Sequence, residues 1–234
     1  QPMRNRFDRR TGTCSRKPGN QELKGDLFEH GKEPDHPRGF CCMTARISDW
    51  RMDHVAKQVN GGAVIAYPTE GVWGLGCSPH SLSAVSRILK LKNRSWDQGL
   101  IMVASSIEQL KPFLTGLSDE MRDQLERDWP GPVTYLVPDN GCCPLWIKGT
   151  HDSVALRVSS HPVIQDLCQR LNSPLVSTSA NPTGRVAAIS PLQVRKNFPA
   201  GIDAVVPGTV TDRRSVSEIR DLNTGKVLRT RNSG

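Results

Sequence analysis

From Ala63 to Tyr67 the chain is apolar at every position, and it then stops at Pro68. A short apolar run without polar alternation predicts a strand buried on both faces. Proline has no N–H to give to a ladder, so it ends such a strand. Thr69 and Glu70 follow at once, and Gly71, Gly74 and Gly76 complete the stretch YPTEGVWGLGC. Glycines let a backbone turn sharply and approach a ligand closely, and ligands of α/β proteins sit where strand ends meet such turns. The same residues would equally serve a plain strand followed by a glycine-rich loop.

The periodicity of the remaining chain supplies the partners of that strand. Trp50, Met52, Val55, Ala56 and Val59 recur at mostly helical spacing after Ser48, a candidate N-cap, and Gly61-Gly62 ends the helix. Helices are predicted over Ser81–Leu91, Ile107–Leu114, Ser118–Arg127, Pro162–Leu171 and Pro191–Asn197. Strands are predicted at Leu100–Ala104, Val133–Val137, Val154–Val158, Leu175–Ser177, Ala204–Val206 and Glu218–Asp221, with Lys226–Arg229 pairing beside the last. The irregular alternation predicts a single-domain α/β fold, a twisted mixed sheet with flanking helices rather than a clean doubly wound one.

Residues 1–42 differ from this. They are rich in Arg, Lys, Gly, Pro, Asp and Asn without apolar periodicity, which reads as a disordered leader or an over-extended start. An Arg-rich arm touching RNA is the functional alternative, and Met43 opens the folded part, 43–234. The formal charge is +8, and the excess persists outside the leader, where 22 Lys/Arg stand against 17 Asp/Glu. Such a balance suits phosphate-bearing partners, although a solvated basic face also produces it. The seven cysteines have no CxxC spacing and the six histidines are scattered, which argues against a disulfide framework or a protein-held metal and for a reducing cytoplasm. No apolar run approaches a membrane span, so no membrane association is expected.

Four further stretches carry polar chemistry. Lys92 and Arg94, at i and i+2 after a helix, would share a face in an extended segment and grip a carboxylate or phosphate, or simply complement the helix dipole. Trp129-Pro130-Gly131-Pro132 gives a rigid entry to a strand on which Thr134 could present its hydroxyl. Ser177-Thr178-Ser179-Ala180-Asn181 packs hydroxyls and an amide at a strand end. Arg213 and Arg214 lead through Ser217 into Glu218-Ile219-Arg220-Asp221. No G-x-S-x-G elbow and no Walker cradle is present, which excludes a serine hydrolase of that type and a P-loop NTPase.

In order and spacing, YPTEGVWGLGC, LKLKNR, DQGLIMVA, WPGPVTYLVP, VALRVSSHP, PLVSTSANPTG, VVPG and SEIRD closely resemble the YrdC/TsaC family, most of all its short single-domain bacterial form. The resemblance runs from about Trp50 to Arg229. It implies a YrdC-like sheet with a concave ligand-binding face and a nucleotidyltransferase activity: L-threonine, bicarbonate and ATP give L-threonylcarbamoyladenylate and pyrophosphate, for t6A modification of tRNA. It further implies that Thr69, Ser177 and Ser217 hold threonine, with Arg157 as a cationic anchor for the threonine carboxylate or the carbamate. Lys92 and Arg94 would neutralise the ATP phosphates, with Thr134, Ser179, Asn181 and Arg229 on the nucleotide. A Mg²⁺ would travel on the ATP, and the Gly208–Arg214 loop would close as a lid. The implied partners are the proteins of the t6A transferase complex and tRNA or double-stranded RNA. Ser78, Ser95 and Gln98 depart from the family's usual residues, and an uncharged Gln98 would weaken the grip on phosphate. Two other readings compete: an RNA-binding module without catalysis, and a YrdC-like domain of a carbamoyltransferase maturation protein.

Overall fold

The computed structural model describes residues 48–211 and 217–230. The expected leader, Met43 and the Arg213-Arg214 part of the expected lid therefore lie outside the described residues. The strands are β1 (Ile65–Pro68), β2 (Trp73–Gly76), β3 (Ile101–Ala104), β4 (Val133–Pro138), β5 (Ser153–Val158), β6 (Leu175–Ser179), β7 (Ala204–Val205), β8 (Glu218–Asp221) and β9 (Val227–Arg229). They form one nine-stranded sheet in the order β7-β1-β2-β6-β3-β5-β4-β8-β9, with parallel and antiparallel neighbours mixed. The helices are α1 (Asp49–Asn60), α2 (Leu82–Lys92), α3 (Asp119–Asp128), α4 (Leu145–Lys148), α5 (Pro162–Leu171) and α6 (Pro191–Asn197).

Strand alternation decides what faces what. On β5, Val154, Leu156 and Val158 enter a large apolar core with Met102 and Ala104 of β3, Tyr135 and Val137 of β4, and Ala84, Val85 and Ile88 of α2. The intervening Ser153, Ala155 and Arg157 therefore face the opposite side. There α1 and α5 cover β1 and part of β3 and β6, burying Met52, Val55, Val59, Ile164 and Leu167 against Ile65, Tyr67, Val103 and Leu175. The stretch of the sheet those two helices leave uncovered is where a cavity opens.

Local signals act as the sequence suggests at several helix starts. Ser81, Ser118 and Ser190 accept N–H bonds at the starts of α2, α3 and α6. Ser48 precedes α1, but its side chain caps nothing. The Ile107–Phe113 segment is a 3-10 helix, and α4 and the Trp96–Gln98 turn form where no element is predicted.

The glycine-rich stretch is corrected most. Gly74 and Gly76 lie in β2, antiparallel to β1, not in a loop. A Cβ at Gly76 would stand 2.4 Å from the Val176 carbonyl oxygen and 2.7 Å from the Tyr67 ring. Gly76 is a glycine because the Tyr67 ring and the β6 backbone occupy the space of a side chain. Gly76→Ala is expected to cost about 1–3 kcal/mol through forced displacement of that backbone. A lowered urea midpoint at constant slope would register it; an unshifted midpoint would show that β2 can give way.

Candidate functional site

A cavity of about 390 Å³ is lined by residues of β2, β3, β4, β5, β6, β8 and β9, so the sheet curls around it. Thr69, Arg94, Arg157, Ser177, Ser179, Ser217 and Arg229 all line it. Thr69 sits in the tight β1–β2 turn, where its hydroxyl and its N–H both donate to the Val72 carbonyl, at 2.7 and 3.1 Å. Ser177 and Ser179 project from β6, and Arg157 from β5 on the same side as Ser153 and Ala155.

Arg157 is 6% exposed and pairs with Glu70, Nη2 donating to Oε2 at 3.0 Å. Burial pushes the Glu70 carboxyl up, but Arg157 and Ser159 outweigh it, so the group titrates below its usual value of 4.5. Its charge thus stabilises the fold above pH 4.5, and that contribution is lost as pH falls through the lowered value. Melting temperature followed between about pH 3 and 6 is expected to fall on the acid side, and less steeply in Glu70→Gln. Equal slopes in both proteins would remove Glu70 from the acid response.

Arg94 follows α2 after Asn93, which takes a left-handed conformation with φ 50°. Its guanidinium donates to the Gln98 and Gly99 carbonyls at 3.2 and 2.9 Å. Gln98 thus contributes its backbone to the arginine, whatever its side chain does. Arg229 donates to the Ser217 carbonyl at 3.0 and 2.8 Å and to its hydroxyl at 3.0 Å. Burial and then the neighbouring Arg157 hold the Arg229 guanidinium below its ordinary value. Glu70 is the single carboxylate among the described lining residues, against Arg94, Lys148, Arg157 and Arg229, so the cavity favours an anionic ligand. The Nε atoms of Arg94 and Arg157 are buried without a hydrogen-bond partner.

Three expected residues lie elsewhere. Lys92 and Arg94 do not share a face of an extended segment: Lys92 is the last residue of α2 and only 3% exposed. Its ammonium donates to the Ser179 and Asn181 carbonyls at 2.5 and 2.7 Å, pinning the end of β6. Burial, and then Arg94, pull it down to about 8. Thr134 is fully buried and bonds the Ser217 hydroxyl at 3.1 Å, so Ser217 covers it from the cavity. Asn181 is absent from the lining; its amide nitrogen donates to the Pro182 and Arg185 carbonyls, and its Oδ1 is buried without a partner.

The sequence also withheld residues. Lys148, His151 and Ser153 line the cavity, Lys148 in a tight ion pair with Asp139. Counting back by twos from Arg157 finds Ser153; nothing local marks Lys148 or His151. Among the described residues no group of three or more His, Cys, Asp or Glu stands ready to hold a metal. No helix there is long and apolar enough to cross a membrane.

The family model for Sua5, YciO and YrdC proteins, described as telomere recombination, matches residues 57–233. The chain belongs to the Sua5/YciO/YrdC family. A relative from Stutzerimonas stutzeri, named threonylcarbamoyl-AMP synthase, is 52% identical over 183 residues, 78% of this chain and 98% of its own. The Sua5 protein of P. abyssi, solved in complex with L-threonine, is 32% identical with a TM-score of 0.74. That match covers 79% of this chain and 55% of the Sua5 chain, so this chain spans little more than half of Sua5. E. coli YciO shares the fold at 19% identity, with a TM-score of 0.69 over 79% of this chain and 90% of its own. The mixed sheet and flanking helices are therefore those of the Sua5/YciO/YrdC fold.

Proposed function

We propose that this chain is a threonylcarbamoyl-AMP synthase, converting L-threonine, bicarbonate and ATP into L-threonylcarbamoyladenylate and pyrophosphate. The observation that carries the reading is the cavity itself. Arg94, Arg157 and Arg229 converge on it with the hydroxyls of Thr69, Ser177, Ser179 and Ser217, and one already paired carboxylate opposes them. The relatives named for this activity and the threonine complex of Sua5 support the same substrates.

The chemistry needs such a lining. The neutral threonine amine adds to CO₂ and gives up a proton to solvent, or condenses with bicarbonate and releases water, and leaves a carbamate. A carbamate oxygen then attacks the α-phosphorus of ATP, and the bond to pyrophosphate breaks. Both reactants are anionic, so the enzyme must offset their repulsion and hold them in line. Arg157 takes the threonine carboxylate, with Thr69, Ser177 and Ser217 around the amino acid. Arg94 neutralises phosphate oxygens, Ser179 donates to them, and Arg229 closes the nucleotide side. Lys92 acts here through the Ser179 and Asn181 carbonyls at the end of β6, and Thr134 supports Ser217 on the β4–β8 side of the cavity. A carbamate is a competent nucleophile, so its attack on the α-phosphorus asks for no general base. A Mg²⁺ brought on ATP would supply charge neutralisation of the phosphates; the one lining carboxylate among the described residues is occupied by Arg157, so Ser and Thr hydroxyls are what these residues would offer around it. The product is labile in water and is destined for the t6A modification of tRNA, so the proteins of the t6A transferase complex are the partners that take it up.

The experiment is pyrophosphate release with ATP and Mg²⁺, omitting L-threonine and bicarbonate in turn. Release that requires both establishes the reaction. A folded protein that releases none under any combination would refute it and favour an RNA-binding role.

A further inference from the structure

Glu70 lines the cavity, yet its carboxylate is fully engaged by protein. Oε1 accepts from the Ser159 hydroxyl at 2.6 Å and from the Ser160 N–H at 3.2 Å, and Oε2 accepts from Arg157 at 3.0 Å. Ser159 in turn accepts the His161 N–H at 3.1 Å. The His161 ring accepts the Val163 N–H at Nδ1, so Nε2 carries the proton and donates to the Thr209 carbonyl, 3.1 Å away. The Thr211 hydroxyl reaches the Glu70 carbonyl at 3.5 Å. One side chain in the β1–β2 turn thus fastens the end of β5, and its neighbours fasten the 207–211 segment to the same place.

An arginine recognises a carboxylate well only when its planar fork is held at the right angle. Arg157 is tied at Nη2, and its Nε keeps no partner. A guanidinium fixed before binding loses less side-chain freedom when the ligand arrives. We infer that Glu70 is a positioning residue: it holds Arg157 in the orientation in which the remaining guanidinium donors meet the carboxylate of the amino-acid substrate, without itself touching that substrate. This rests on the reading of Arg157 as the threonine anchor. The Glu70–Ser159 bond is the support that holds the carboxylate in place against Arg157.

The test compares wild type, Glu70→Gln, Glu70→Asp and Ser159→Ala in pyrophosphate release, with L-threoninol, which lacks the carboxylate, as a competing ligand. Glu70→Gln is expected to raise the KM for threonine about tenfold, the size of one charge-assisted hydrogen bond. kcat and the KM for ATP should stay within about twofold, the signature of lost uniform binding. Inhibition by L-threoninol should be unchanged, because it offers Arg157 no carboxylate. Glu70→Asp, which keeps the charge, should recover part of the loss. Ser159→Ala, which leaves the Arg157 pair in place but loosens Glu70, should raise the threonine KM about threefold and decides the matter if Glu70→Gln does not fold. An unchanged threonine KM in an active Glu70→Gln enzyme would overturn the inference and leave the function standing, as would equal losses for threonine and L-threoninol. Wild type that releases no pyrophosphate would overturn the function and the inference together.

Discussion

Arg157→Ala is expected to abolish threonine-dependent pyrophosphate release and to lower the stability of the fold by about 3–5 kcal/mol, the cost of leaving one member of a buried ion pair alone. The side chains of the pair are 7% and 10% exposed, so water cannot replace the lost guanidinium. Ser159 and Ser160 still hold Glu70, but they supply hydrogen bonds and no charge. Arg157→Lys separates the two losses. It keeps a positive charge beside Glu70 and forfeits the planar fork, so stability should largely return while threonine binding does not. Urea unfolding and the threonine KM read the two quantities independently. A wild-type threonine KM in Arg157→Lys would show that the fork is not what recognises the substrate.

Arg94→Ala should reduce kcat/KM for ATP by about 10²–10³-fold, as removal of a preorganised charge from a phosphoryl-transfer site does. Stability should move by less than about 1 kcal/mol. The carbonyls that Arg94 holds belong to a turn fastened without it: Leu100 N–H donates to Ile147 O at 2.7 Å, and Thr150 N–H to Asp97 O at 3.2 Å. The arginine is therefore a tenant of this turn and not its support. Full activity in a folded Arg94→Ala protein would remove it from the phosphate site.

The element pattern was legible because it is local. Alternation in Val154-Ala155-Leu156-Arg157-Val158 tells which side chains enter the core and which face the cavity, and the predicted α5 matches the observed helix residue for residue. The glycine-rich stretch was misjudged because its reason is not local. The local pattern gives Gly76 freedom to turn, whereas it is room for the Tyr67 ring and for the Val176 carbonyl of β6, about a hundred residues further along the chain. Lys92 was misjudged for the same reason. Its spacing to Arg94 suggested a shared ligand, but Asn93 in the left-handed conformation separates the two, and the curl of the sheet brings the end of β6 under the lysine.

By itself the sequence determined where most strands and helices run, β2 and α4 being the exceptions, which residues are apolar on which face, and, through its ordered motifs, the family to which the chain belongs. Those properties follow from backbone preferences and side-chain periodicity over a few residues. Only the tertiary structure decided that Glu70 holds Arg157 across 87 positions, that Thr134 lies beneath Ser217, and that Lys92 pins a strand end. A polar side chain's role is set by the partner that desolvation forces on it. That partner is chosen by the order and curvature of nine strands, which no short stretch of chain encodes.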